Sequence, residues 1–209
     1  ILLLFITIGK NHDDFPYYHF PYIQLLNDYP HPFGLGQLNN GFRSPSSVFF
    51  ISSIFFLPKI GIYLFHILPA LILGFANIFL IKNIFDKENF QKKKIISYLS
   101  ILFFSFINIF FYRLAEHGTD RSGMILILIS IICLISLTNK YNLIKSKNQN
   151  NENLMKIIII LICFAATIKP YFLINFLFFF SFIYFKQTRK IFLDLFFTRT
   201  FYFCLTLIF

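Results

Sequence analysis

The 209 residues are 57% hydrophobic and 21% aromatic but only 13% charged, with a formal net charge of +10 and a mean hydropathy of +0.69. An average soluble domain carries roughly 25% charged residues, and a soluble chain this apolar has too little polar surface to cover its core. The composition excludes a soluble domain, and in a chain solvated by lipid the basic excess marks cytoplasmic loops rather than a nucleic-acid partner.

Ile1–Gly9 is apolar and reads as the outer half of a truncated first transmembrane helix. It has neither the basic leading stretch nor the small-residue cleavage site of a signal peptide. Because the chain opens at Ile1 and closes at Phe209 inside apolar runs, it is expected to be a piece of a longer protein. Residues 10–47 form the longest polar stretch, rich in Pro, Gly, Asn, Tyr and His, and are expected to be an outer loop. Within it, the interleaved aromatic, polar and proline residues of Phe15–Asp28 suit an interfacial helix on the outer leaflet. That helix could shape a substrate groove or serve only as an aromatic belt. Gly34-Leu35-Gly36 lacks the third glycine and the preceding strand of a dinucleotide fingerprint, so with Gly41 it predicts tight turns.

The remaining membrane helices and short loops fall in residues 48–209, the whole of 1–209 being one transmembrane domain. Val48–Leu57 is shorter than the about 20 residues a span needs. It reads as an interfacial helix or the start of the next span, capped by Ser44, Ser46 or Ser47 and stopped or kinked by Pro58. Ile60–Ile81 is long enough to cross, with His66 inside it bonding across helices. Lys82–Lys94 is a charged turn, Ile95–Tyr112 crosses again, Arg113–Arg121 is a short polar loop, and Ser122–Asn139 returns. Lys140–Lys156 is a polar loop. Ile157–Phe185 is apolar except for Lys169-Pro170, and a lysine at mid-bilayer would cost at least about 2.5–3.5 kcal/mol. A hairpin of two short helices turning at Lys169-Pro170 puts that lysine at an interface instead. Lys186–Lys190 is basic, and Ile191–Phe209 begins a last span, with Asp194 and Arg199 pairing or marking helix ends. About seven hydrophobic segments result, each judged by the length a bilayer requires.

Placing the start of the first helix in the cytoplasm puts twelve Lys and Arg residues on the inner side. Six lie outside: Lys10, Arg43, Lys59, Arg113, Arg121 and Lys169. The positive-inside rule supports that choice. The basic inner loops then form a solvated surface that binds at most anionic lipid. Asp13, Asp14, Asp28, Glu116 and Asp120, with His12, His19, His31 and His117, fall outside, so ionisable chemistry gathers on the outer face. Cys133, Cys163 and Cys204 sit in apolar runs without CxxC spacing or a nearby histidine, and predict neither a disulfide nor a cysteine-bound metal.

Two acidic groups carry the candidate chemistry. Adjacent Asp13 and Asp14 repel each other, and their charge is best tolerated when a cation or a proton-bearing substrate is shared between them. Either could act as a general base for a hydroxyl or ligate a divalent metal; a solvated loop start is the alternative. Glu116, His117 and Asp120 lie in the next outer loop, with the two acids four apart, and could face the first pair or merely form a polar connection. The outer cations Arg43, Arg113, Arg121 and Lys169 could hold a phosphate or pyrophosphate, or snorkel as interfacial anchors. Lys169 is the preferred one, because Pro170 would fix its helix end.

An acidic pair outside the first helix, a long outer loop with an interfacial helix, and a second acidic motif between helices three and four together resemble the GT-C superfamily of membrane glycosyltransferases. Its members include oligosaccharyltransferases, protein mannosyltransferases and the aminoarabinose transferases of lipid A. The run His12-Asp13-Asp14-Phe15-Pro16-Tyr17-Tyr18-His19, with Asn40-Gly41-Phe42-Arg43 and Glu116-His117-Gly118-Thr119-Asp120, also looks like a group of bacterial membrane proteins of this general type. The resemblance implies an all-α, polytopic transmembrane helix bundle, seen here as its amino-terminal half. The site would lie on the periplasmic or extracellular face of a bacterial inner (cytoplasmic) membrane.

The same resemblance makes Asp13 or Asp14 the catalytic carboxylate and gives Glu116, His117 and Asp120 the second acidic site. Lys169 or one of Arg43, Arg113 and Arg121 would hold the donor phosphate. A divalent cation, Mg or Mn, would bind at Asp13, Asp14, Glu116 and Asp120 in those members that use one. The substrates it implies are a polyprenyl-phosphate-linked sugar and a glycan, lipid or protein acceptor, met beside membrane lipid. Two rivals stand against it. A transporter or flippase predicts mid-membrane ionisable groups and repeat symmetry. A non-enzymatic envelope assembly protein predicts that the acids are dispensable.

Overall fold

A computed structural model of the chain describes residues 14–29, 34–43, 45–86, 94–110, 119–143, 148–184 and 186–196, together with 198, 202 and 206. Among them the protein is all-helical, without strands. The first apolar run, the acids Asp13 and Glu116, and His12, His31, His117, Arg113, Arg199 and Cys204 lie outside the described residues.

A single π-helical turn, Phe15–His19, runs directly into α1, Phe20–Asp28. Two short 3-10 turns follow, Leu35–Gln37 and Asn40–Arg43. Gly34 opens them with φ of 80°, a conformation in which a side chain would be strained. Helix α2, Ser47–Ile54, starts at Ser46, whose hydroxyl accepts from the Val48 N–H at 3.4 Å. This is one of the three caps the sequence offered. These pieces share a small aromatic core of Phe15, Tyr22, Ile23, Leu35, Phe42, Phe49 and Phe65. The segment Phe15–Asp28 is thus helical as expected, but one of its faces is seated on α2.

The long helices follow. Helix α3 runs Ile67–Phe85, α4 Lys94–Phe110, α5 Thr119–Leu143 and α6 Asn148–Ile168. Helices α3 and α5 are long and apolar enough to cross a membrane, and Lys94–Phe110 and Pro170–Tyr184 are shorter apolar helices. The main core joins α3 to α6 through Leu73, Ala76, Leu80, Ile107, Ile125, Ile132, Met155 and Ile162. Asn77 of α3 and Asn108 of α4 exchange amide hydrogen bonds at 3.3 and 2.8 Å. That pairing lets two polar side chains sit on apolar helices without an unmet donor.

Several boundaries differ from expectation, among them the basic run 186–190, which forms the first turns of a helix, Lys186–Phe196. Helix α3 begins at Ile67, not Ile60, because Lys59 and Gly61 adopt left-handed backbone (φ 74° and 63°) in a tight turn. His66 is therefore the residue before the helix rather than inside it. It packs on Phe15 with ring centroids 5.3 Å apart. The polar stretch 140–156 is mostly helical: α5 continues to Leu143 and α6 begins at Asn148, supported by the Lys156–Glu152 ion pair at 2.6 Å.

After α6 the chain breaks at Lys169, whose backbone is extended (φ −148°, ψ 129°), and Pro170 opens a 3-10 stretch, Pro170–Leu177. Helices α7, Phe178–Tyr184, and α8, Lys186–Phe196, complete the return. A small cavity lined by Glu152, Ile191, Asp194 and Thr198 shows that the chain comes back to the level where α6 began. The hairpin at Lys169-Pro170 is therefore present.

Candidate functional site

Helix α5 starts with Thr119 and Asp120. Thr119 is buried, and its hydroxyl donates to Asp120 Oδ1 at 3.3 Å. A carboxylate in the first turn is favoured by the unpaired N–H groups and by the helix dipole. Lys169 reaches the same oxygen, Nζ to Oδ1 3.5 Å, with the Lys side chain 19% exposed and that of Asp120 59% exposed. The pair faces water on the carboxylate side and protein on the ammonium side.

One glycine sets that meeting. A Cβ placed on Gly123, one turn along α5 from Asp120, would collide with the Phe172 ring. Phe172 is three residues past Lys169 and is buried. Its ring fills the notch that glycine leaves, which docks the 3-10 stretch on α5 and places Lys169 over Asp120. Tyr171, next to Phe172, lies within the electrostatic reach of Asp120.

The first loop reaches the same place. The Tyr18 hydroxyl donates to the Asp14 carboxylate. Burial, with Asp14 and then Asp120 adding their negative fields, pushes the Tyr18 phenol up to about 12. An effect from Asp120 on Tyr18 puts the two acidic segments in one neighbourhood. A second glycine is needed here: a Cβ on Gly41 would lie 2.5 Å from Tyr18 Cγ. Asn39 ties that turn to the π-helical turn, its Nδ2 donating to the Tyr17 carbonyl at 3.4 Å and its Oδ1 accepting from the Gly41 N–H at 2.8 Å.

Residues 1–209 match a family model described as Domain of unknown function (DUF8201). The chain belongs to that family. No curated protein and no solved structure matches it.

In this DUF8201 chain the expected site residues divide into three groups. Asp14 accepts from Tyr18, Lys169 pairs with Asp120, and Asp120 exerts its charge on both Tyr18 and Tyr171. Arg121 follows Asp120, and its Nη1 is buried with no hydrogen-bond partner among the described residues. Arg43 is exposed and uses Nε to bind the Gly36 carbonyl at 3.2 Å, so it braces the glycine turn. Asp13, Glu116, His117 and Arg113 lie outside the described residues. His19 is buried and packed edge-on to Tyr18 and against Phe49, which makes it a core side chain.

No three His, Cys, Asp or Glu side chains among the described residues are grouped to hold a metal ion, and of the four expected ligands Asp13 and Glu116 lie outside the described residues.

Sequence reasoning gave no site role to Tyr18, Tyr171, Gly123 and Phe172, and read Gly41 as a tight turn. The signal for Tyr18 was its place four residues after Asp14 in a helical stretch. Gly123 carried a weaker one, a glycine in an otherwise strong helix former run, which costs stability unless something needs the space.

Proposed function

We propose that this chain is the amino-terminal part of a membrane glycosyltransferase of the GT-C type, a polytopic bundle acting at the non-cytoplasmic face of a bacterial inner membrane. It would move a sugar from a polyprenyl-phosphate donor to a hydroxyl acceptor. The observation that carries this reading is that Tyr18 binds Asp14 of the first loop and feels the charge of Asp120, which itself pairs with Lys169.

The chemistry needs a base and a charge acceptor in one place. Asp14 takes the proton of the acceptor hydroxyl, and that oxygen attacks the anomeric carbon. The bond between that carbon and the phosphate oxygen breaks, and the lipid phosphate leaves with the electron pair. Lys169 and the unmet Arg121 N–H supply positive charge for the leaving phosphate. Asp120 holds Lys169 in position, and Tyr18 holds Asp14. Asp13 directly precedes Asp14 and Glu116 lies four residues before Asp120 in the sequence, and both would share the site.

The test is Asp14→Asn and Asp120→Asn in the full-length gene. Loss of a surface glycan with accumulation of the lipid-linked sugar supports the enzyme. Unchanged glycans and lipid-linked sugars in both variants would remove it.

A further inference from the structure

The return arm of the Lys169-Pro170 hairpin carries a feature that the proposed reaction does not use. A groove of about 440 Å³ runs between the 3-10 stretch, α7 and α8, and all its lining side chains are apolar, among them Leu173, Leu177, Phe180, Ile183 and Phe192. Leu173, Leu177, Phe180 and Ile183 are each more than 40% exposed. In lipid such a concavity is filled by hydrocarbon, because an empty groove forfeits dispersion contacts along its whole length.

Its α8 end is charged and fixed. Thr188 is buried, and its hydroxyl donates to the Phe182 carbonyl at 2.7 Å, pinning the start of α8 to α7. Phe192, one turn on, packs on Phe179 and Phe182 with ring centroids 5.7 and 5.6 Å away. Arg189 and Lys190 stand between these two anchors and are exposed. Helical spacing puts Arg189 beside the anchored face, one turn from the groove residue Phe192. Lys190, two residues before Phe192, falls on the opposite side of the helix, so Arg189 is the cation that α8 offers beside the end of the groove.

We propose that this groove and Arg189 form a binding site for an anionic phospholipid of the cytoplasmic leaflet. One acyl chain would lie along residues 173–183, and the phosphate would meet Arg189. Charge complementarity selects this occupant: a zwitterionic lipid fills the groove equally well but gains less from the cation. The inference requires that the chain be in a membrane and is independent of glycosyl transfer.

Native mass spectrometry of the purified full-length protein in detergent, titrated with phosphatidylglycerol or phosphatidylcholine, tests it. A basic residue near an anionic headgroup is worth a factor of about five, so Arg189→Gln should weaken phosphatidylglycerol about five-fold. Phosphatidylcholine binding should stay unchanged in Arg189→Gln, and Lys190→Gln should change neither lipid. Leu177→Trp, which fills the groove and leaves the charges, should weaken both lipids. Equal binding of the two lipids by the native protein, or selectivity that survives loss of the Arg189 charge, would overturn the site. So would displacement of phosphatidylglycerol by equimolar undecaprenyl phosphate, which would make the groove a donor-tail site. Asp14→Asn should leave every one of these titrations unmoved, which separates this inference from the fate of the enzyme reading.

Discussion

Lys169 Nζ lies 3.5 Å from Asp120 Oδ1, joining the break after α6 to the first turn of α5. Lys169 is mostly covered while Asp120 is largely exposed, so the pair resembles a surface ion pair in strength and a positioned one in geometry. A double-mutant cycle with Asp120→Asn and Lys169→Met should give a coupling of only about 0.2–1 kcal/mol in thermal or denaturant stability. In glycosyl transfer the same two variants should each lose at least about tenfold, because Lys169 acts on the leaving phosphate only when it is correctly placed. Equal losses in stability and activity would make the pair merely structural.

Gly123→Ala puts a methyl group where the Phe172 ring sits. The ring must move, at a cost of about 1–3 kcal/mol typical of overpacking, and Lys169 moves with it. The expected result is lower thermal stability in detergent together with reduced transfer. Restoring space with Phe172→Leu in the Gly123→Ala background should recover part of both.

Tyr18→Phe removes one hydroxyl and leaves the ring packed beneath Gly41. The fold should hold, and transfer should fall as Asp14 loses its tether. The native phenol stays protonated until about pH 12 and so remains a donor throughout the neutral range. An ultraviolet titration of the tyrosines should accordingly lose one late-ionising group in the variant. Loss of a group that titrates at the ordinary tyrosine value would contradict the contact with Asp14.

His66 sets a pH dependence of stability. Burial pushes its pKa down to about 4 from the ordinary 6.5. Between those values the unfolded chain binds a proton at this residue that the folded chain does not, so stability rises with pH from about 4 to 6.5 and is flat above. The full effect is on the order of 3 kcal/mol. His66→Gln should flatten this part of the stability profile. A profile with unchanged slope would place the proton elsewhere.

Much of this was legible in the sequence, and the misses share a cause. Hydropathy located the apolar cores of the helices, and the cost of a mid-bilayer lysine before proline located the hairpin at Lys169-Pro170. Helix ends were harder, because apolarity reports where lipid lies and not where hydrogen bonding stops. Asn148–Leu154 continues as helix in a polar stretch that the eye reads as loop, and Pro58–His66 is apolar yet folded as turns. The acids Asp14 and Asp120 and the cation Lys169 stood out by charge. Tyr18 and Phe172 did not, since a Tyr and a Phe in a chain with 11 and 33 of them carry no signal until two glycines are seen to make room for them.

The most direct test joins Asp14 to Asp120 physically. Asp14→Cys with Asp120→Cys, in a background with Cys133, Cys163 and Cys204 replaced by alanine, should form a short bis-thiol cross-link in intact cells. On the proposed topology a membrane-impermeant reagent suffices, because both positions would face the outside. No cross-link in native membranes, or one that forms only after the cytoplasmic side is opened, would contradict a shared outer site.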